Sequence, residues 1–309
     1  MDRSGLPYGV GRVVHSNGSF NNSVAAGRYT HKLNKNISSS RSLPCRVTAN
    51  MDTDVLHMDQ MAKASRALDV ARKIVIFTGA GISAESGIPT FRDKLTGVWA
   101  RHDPRTLETA NAFRENPALV WGWYLWRRKQ AIQAKPNAAH EMVARLAYSD
   151  RDVVVVTQNI DDLHERAGSR NVEHLHGSLN QPICFACKRP AQLTNLQAAV
   201  AFEGDLIEPP RCARCNGRLR PGVVWFGEDL PAGVWKRAIA QVRSCDVLIS
   251  VGTSGVVRPA ADIPEIALAA GASVIHVNLE DVTLGEPNEL MLLGSATELL
   301  PELLRISNK

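Results

Sequence analysis

Nowhere does the 309-residue chain hold a run close to the roughly 20 consecutive apolar residues that a membrane helix needs, and no stretch reads as a secretory signal. A bilayer-spanning protein is therefore not expected. Internal repeats are missing too, which sets aside solenoids and propellers. Acidic residues are scarce in the first 50 positions, where Asp2 stands alone against seven Lys/Arg. The rest of the chain then holds 29 basic and 30 acidic residues, so the net charge of +5 belongs to the N-terminal segment. A near-neutral body gives no basic surface for nucleic acid, and no nucleic-acid partner is expected.

That segment is rich in Ser, Asn and Gly without helical periodicity. Residues 1–60 are expected to form a disordered basic tail or a targeting segment. The Arg/Ser-rich, acid-poor composition resembles an organellar transit peptide, although its glycines and asparagines make a poor amphipathic helix. Met51, Met58 and Met61 would also suit a start site further along. The cytoplasm is the expected compartment, with the mitochondrial matrix as the alternative, and a monomer is the expected state.

What the chain does contain is a series of short apolar runs. Met61 to Lys73 has helical spacing and leads into KIVIFTGAG, and further runs follow at DVVVVTQN, CDVLISVGTS and ASVIHVNLE. Such runs, separated by room for crossover helices, predict an α/β fold with a doubly wound parallel, Rossmann-like sheet. Residues 61–305 read as one catalytic domain. Two stretches interrupt its alternation: the aromatic-rich helical segment 92–147 and the cysteine- and proline-bearing segment 180–225. Both are expected to be insertions that build a smaller helical and zinc-binding lobe, with ligand in the cleft between the lobes.

Six blocks carry chemistry. In Gly79-Ala80-Gly81-Ile82-Ser83-Ala84-Glu85-Ser86-Gly87-Ile88-Pro89-Thr90-Phe91-Arg92 the glycines follow a strand, as a backbone that must approach a pyrophosphate requires. The third glycine comes six residues after the second, which departs from the dehydrogenase spacing. Thr157-Gln158-Asn159-Ile160-Asp161-Asp162-Leu163-His164 ends the second strand on the side where open α/β sheets bind ligands, although a simple helix cap by Asn159 or Asp161 is the bland alternative. His174-Leu175-His176-Gly177-Ser178 offers two histidines able to act as a general base, and spacing does not choose between them. Cys184-x-x-Cys187 and Cys212-x-x-Cys215, with 24 residues between the pairs, fit one tetrahedral structural Zn2+ with no open position. Val223-Val224-Trp225-Phe226-Gly227-Glu228 is either an internal strand or an edge for an extended peptide. Gly252-Thr253-Ser254 and Asn278 end two further strands on the crevice side.

Jointly these blocks resemble the sirtuin family over about residues 65–305. The resemblance implies an enzyme that uses NAD+ as co-substrate to remove acyl groups from lysine side chains of proteins, yielding nicotinamide, O-acyl-ADP-ribose and free lysine. It implies that the NAD+ pyrophosphate sits on Gly79, Ala80 and Gly81, and that Glu85, Thr90, Phe91, Arg92 and Trp99 belong to the cofactor site, Phe91 and Arg92 on its mobile loop. Gln158, Asn159, Ile160 and Asp161 would contact the ribose and nicotinamide side. Gly252, Thr253, Ser254 and Asn278 would hold the adenosine half, with Leu279, Glu280 and Ala296 in the same set. His176, directly before Gly-Ser, becomes the base, with Asn159 beside it in catalysis, and Val224, Trp225, Phe226 and Gly227 become the peptide side. In the family the acyl oxygen attacks the ribose C1′ as nicotinamide leaves, and the histidine deprotonates a ribose hydroxyl.

Tyr124 and Arg127 lie three apart in VWGWYLWRRKQ, on one face of a helix. A guanidinium binds carboxylates through a bidentate fork, and the Tyr-x-x-Arg spacing is similar to that of the desuccinylase and demalonylase branch of sirtuins. An acyl group ending in carboxylate is the expected substrate, unless Arg127 lies on a solvated face with Arg128 and Lys129. Gly222 stands where many relatives carry Asp, Asn or His, which implies a weaker contact to the peptide. The alternatives are protein ADP-ribosyl transfer and, from a different class, a non-catalytic NAD or ADP-ribose sensor; the glycine spacing argues against a dehydrogenase.

Overall fold

A computed structural model of the chain describes residues 48–90, 104–194 and 202–306. Phe91, Arg92, Trp99 and Cys45 lie outside them. The first helix, α1 (Thr48–Val70), starts before Met61, where the tail was expected to end. No Gly or Pro interrupts residues 48–70, and a Lys63–Asp59 ion pair one turn apart at 2.7 Å supports the helix. There follow β1 (Lys73–Thr78), α2 (Gly81–Ala84), α3 (Pro104–Leu107), α4 (Ala110–Glu115), α5 (Pro117–Gln133), α6 (Ala138–Leu146), β2 (Asp152–Thr157), α7 (Leu163–Ala167) and β3 (Val172–His174). The chain continues through β4 (Gly177–Cys184), β5 (Leu219–Val223), α8 (Ala232–Ser244), β6 (Val247–Val251), α9 (Ile263–Ala269), β7 (Ser273–Asn278), β8 (Glu289–Leu293) and α10 (Ala296–Ile306).

Six strands make one parallel sheet in the order β3-β2-β1-β6-β7-β8. The winding reverses between β1 and β6, so the crevice for a ligand opens at their carboxyl ends. Period-two alternation sends Ile74 and Ile76 of β1 to one face, against Leu68 of α1, Val143 of α6 and Leu300 of α10. Val75 and Phe77 go to the other, against Val242 of α8 and Ile263 of α9. Covering both faces is what makes the central strands continuously apolar. The fold is the doubly wound α/β sheet that the apolar runs predict, with β3 and β8 added at its edges.

One boundary moves. Helix α6, expected within the 92–147 insertion, packs Ala139, Val143 and Leu146 into the main core and is the crossover between β1 and β2. Its N-cap, Asn137, bonds His140 in a capping box and donates its amide to Ile82 O at 2.8 Å and Ser86 Oγ at 3.0 Å, tying the crossover to the first glycine turn. The smaller lobe is built from α4, α5 and the antiparallel pair β4–β5 around Phe113, Trp123, Tyr124, Leu179, Val223 and Trp225. Gly222 belongs to this packing: a Cβ there would lie 1.7 Å from Gln181 O, at the register shift of β4.

At the carboxyl ends of β1 and β6 two backbones touch. Gly81 N donates to Gly252 O at 3.0 Å, and Gly252 has φ +58°. A Cβ on Gly252 would meet Gly81 Cα and Ile82 N at 2.6 Å. Gly252→Ala should therefore lower Tm by several degrees, since the left-handed φ alone costs about 1–2 kcal/mol before the clash. Thermal unfolding of the variant checks this, and an unchanged Tm would show that the contact relaxes without strain.

Candidate functional site

The crevice is lined by loops that leave the sheet at four strand ends. Gly79 N and Gly81 N donate to Val251 O and Gly252 O, which places Ala80 at the tip of the turn, half-buried. Gly79 and Gly81 contribute closeness, with no room for a side chain between the turn and the end of β6. Asn278, at the end of β7, donates its amide to Thr253 O at 2.8 Å, and Thr253 Oγ bonds Ser250 Oγ at 3.1 Å. Ser254 Oγ accepts from Val256 N. Leu279 and Glu280 are exposed just beyond, Ala296 opens α10, and Glu85 accepts a hydrogen bond from Thr297 of that helix. Thr90 is half-buried and is the last described residue before position 104. The side chains expected to hold the two halves of a dinucleotide thus come to one edge of the sheet.

Beneath them lies a polar network with little contact to water. Ser83 Oγ accepts from Asn159 Nδ2 at 3.1 Å and donates to Asp161 Oδ2 at 3.2 Å. Asp161 Oδ1 accepts from Leu163 N at 3.0 Å, and Asn159 N donates to Thr157 Oγ1. Thr78 Oγ joins Thr157 Oγ at 2.8 Å and His164 Nε2 at 3.0 Å. Burial pushes the Asp161 carboxyl up, against its bonds from Leu163 and Ser83, and pushes His140 down to about 4 and His164 well below the usual imidazole value. Asp161 does cap α7 through Leu163 N, but Asn159 is turned into the network instead. Ser83 and Thr157, given no role of their own in the sequence reading, join the two blocks; their position inside the motifs was the available signal.

The two histidines separate by their partners. His176 Nδ1 lies 2.9 Å from Gln158 O, and a carbonyl only accepts, so Nδ1 carries the proton and Nε2 the lone pair. Burial lowers its pKa, partly offset by that carbonyl. His174 Nδ1 lies 2.9 Å from Asn159 O, while its Nε2 lies 2.7 Å from Glu165 Oε1. With acceptors on both nitrogens the charged form of His174 is favoured. Burial alone would lower its pKa, but Glu165 and the Asn159 carbonyl outweigh burial and raise it. Of the pair, His176 is the one with a lone pair to offer.

The VVWFGE run is held from within. Val224 N donates to His176 O at 2.8 Å, Trp225 N to Glu228 Oε2 at 3.0 Å, and Phe226 N to Glu108 O at 2.9 Å. Arg220, 1% exposed, grips Glu228 through two nitrogens and lies 3.3 Å from the centre of the Trp225 ring. Phe226 is exposed and Gly227 has φ +84°. Tyr124 is buried, and its hydroxyl accepts from Trp225 Nε1 at 3.0 Å. Arg127 lies 5.7 Å from the centre of the Trp123 ring and bonds Glu108 Oε1 at 2.7 Å, with side-chain exposures of 15% and 7%. Burial and then Glu108 raise the Tyr124 pKa well above its usual value, while Arg127 opposes them, so the three groups share one environment. Arg127 is therefore not on a solvated face. Glu108 has no signal in the sequence, since it sits nineteen residues from its partner, in the bend between α3 and α4.

The four cysteines converge. Their Sγ atoms lie within 4.8 Å of one another, with 3.5 Å between Cys184 and Cys215 and 3.9 Å between Cys187 and Cys212. A tetrahedral Zn2+ with bonds of about 2.3 Å sets its sulfurs roughly 3.8 Å apart, so the set fits that ion. Each pair is followed by a residue with positive φ, Lys188 and Asn216, whose N–H returns to the carbonyl of Cys184 and Cys212. Two turns of the same shape thus present the thiols.

Known proteins resemble this chain over most of its length. The pattern described as the Sir2 family matches residues 79–259. A protein of Pseudomonas putida named NAD-dependent protein deacylase is 64% identical over 248 residues, covering 80% of this chain and 95% of that protein. One of Mycobacterium tuberculosis with the same name is 46% identical over 233 residues, 75% of this chain and 96% of its own. A crystal structure of a Sir2 homologue–NAD complex is 42% identical with a TM-score of 0.72, covering 80% of this chain and 93% of that one. A Sir2–p53 peptide–NAD+ complex is 30% identical with a TM-score of 0.68, covering 79% and 97%.

Elemental analysis should find one zinc per chain. Chelation, or Cys212→Ser, should lower Tm and loosen the β4–β5 lobe, read as faster hydrogen exchange there than in the parallel sheet. Exchange that rises equally everywhere would contradict a role confined to that lobe.

Proposed function

The chain belongs to the Sir2 family and is an NAD-dependent protein deacylase, and from that premise we propose that it acts on lysine acyl groups ending in a carboxylate, succinyl and malonyl, with deacetylation as a second activity. The observation that supports this most is Arg127: its guanidinium is mostly buried, shares the surroundings of the Tyr124 phenol, and already holds a carboxylate at 2.7 Å. A buried guanidinium with aromatic walls is a receptor for that group.

NAD+ supplies an activated ribose C1′ and a leaving nicotinamide. The close glycine turn, Gly79 to Gly81 against Gly252, lets a pyrophosphate approach main chain, and Thr253, Ser254 and Asn278 sit where the adenosine half would lie. Asn159 and Asp161, locked by Ser83, present fixed polar groups on the ribose and nicotinamide side. His176 is the general base: Gln158 O fixes its tautomer and burial keeps it neutral near pH 7. The exposed Phe226 and the adjoining Gly227 form the wall along which an acyl-lysine peptide lies, chiefly through its own N–H groups because Val224 N, Trp225 N, Phe226 N and Glu228 N are bonded within the chain. ADP-ribosyl transfer to protein draws on the same activated C1′ and is the nearest alternative; a non-catalytic sensor would have no use for a neutral, oriented base.

His176→Asn should lower kcat by about 10²–10⁴-fold, the usual worth of a general base. Because the His176 pKa is lowered, the base stays neutral until pH falls below the ordinary histidine value, so the acid limb of kcat/KM should lie below pH 6.5. A limb above 6.5 would contradict the assignment. With succinyl- and acetyl-lysine peptides and NAD+ followed by mass spectrometry, Arg127→Met should lower the succinyl-to-acetyl ratio of kcat/KM by roughly 10–100-fold, the worth of a charge-assisted bond. An unchanged ratio would remove Arg127 from the acyl site, and consumption of NAD+ without loss of either acyl group would favour ADP-ribosyl transfer.

A further inference from the structure

Glu108 is a buried acid that the reaction leaves without a task. It stands at the start of the segment that runs into α4, and its main-chain carbonyl accepts from Phe226 N on the wall assigned to the peptide. Its carboxylate is on Arg127 at 2.7 Å, and both side chains are nearly out of water. Burial pushes the Glu108 carboxyl up, while Arg127, by charge and hydrogen bond, and then Trp123, by hydrogen bond, pull the other way. A carboxylate so placed presents to Arg127 the same group that a succinyl or malonyl chain would present. The two cannot both be ionised at one guanidinium without adding a net negative charge in a buried site.

We propose that Glu108 is a specificity-determining residue of the acyl pocket, an internal competitor that occupies Arg127 and must be displaced by an acyl carboxylate but not by an acetyl group. This rests on the assignment of Arg127 to the acyl site. The resting enzyme then has its acidic-acyl preference held down by its own side chain, and the balance between the two activities is set by how readily Glu108 leaves. An alternative role is mechanical: Glu108 fixes the Arg127 rotamer, and substrate binds the pair as it stands. The two differ in sign, because loss of a competitor improves succinyl-peptide binding, whereas loss of a support weakens it.

The test is steady-state kinetics of Glu108→Gln and Glu108→Ala with succinyl- and acetyl-lysine peptides at saturating NAD+, beside Arg127→Met and the double variant Glu108→Gln/Arg127→Met. Competition predicts that Glu108→Gln lowers KM for the succinyl peptide, so that the succinyl-to-acetyl ratio of kcat/KM rises about tenfold or more through KM and not kcat. The gain should vanish in the double variant, since without Arg127 there is nothing to compete for. A raised KM for the succinyl peptide, or a ratio that does not move in either Glu108 variant while Arg127→Met lowers it, overturns the competitor and leaves the acyl-site reading standing. A ratio that moves in none of the four variants overturns the acyl-site reading itself. Glu108→Ala, which removes the carboxyl group altogether, guards against a glutamine that still holds Arg127, and a Tm for each variant separates loss of fold from loss of selectivity.

Discussion

Everything in the crevice hangs on a contact that contains no side chain. The first glycine turn lies on the end of β6 with a hydrogen bond from Gly81 N to Gly252 O, and any Cβ at Gly79, Gly81 or Gly252 would fall within 3 Å of opposing backbone. The same main-chain bonding runs across neighbouring strand ends: Gln158 N to Thr78 O, Gly79 N to Val251 O, Gly252 N to Val277 O. Each loop therefore starts as one more rung of the sheet, and its position is set by β1, β2, β6 and β7 before any side chain acts. A dinucleotide can then meet backbone from two loops at once, at the point where the winding of the sheet reverses.

On this frame the side chains divide the electrostatic work. Consecutive carbonyls, Gln158 O and Asn159 O, each take an imidazole proton, and the second nitrogen decides what each ring is for. His174 meets Glu165, which favours its charged form; His176 meets no acid through its other nitrogen among the described contacts, which suits it to the proposed role of base. Ser83 joins Asn159 to Asp161, so that two groups expected at the ribose belong to one rigid unit. The smaller lobe is fastened by a different device, Arg220 buried between Glu228 and the Trp225 ring, which fixes the turn proposed to line the peptide.

Much of this was legible in sequence because it is local. The apolar strands, their glycine ends and the paired Cys-x-x-Cys turns each write their geometry within a few neighbouring residues. β3, with the polar sequence VEH, and β8 are edge strands whose composition does not demand burial on both faces. α6 was grouped with the helical insertion because the aromatic cluster before it masked the return to the main core. The choice between His174 and His176 depended on partners up to eighteen residues away, and the Glu108–Arg127 pair joins positions nineteen residues apart. Such pairings leave no spacing rule in a single sequence.

If one of two neighbouring histidines is a neutral base and the other a cation, 15N NMR of the imidazole rings at pH 7 distinguishes them. His176 should show a neutral ring with the proton on Nδ1 and a bare Nε2, and His174 a ring protonated on both nitrogens. A protonated His176, or a neutral His176 with its proton on Nε2, would contradict this assignment.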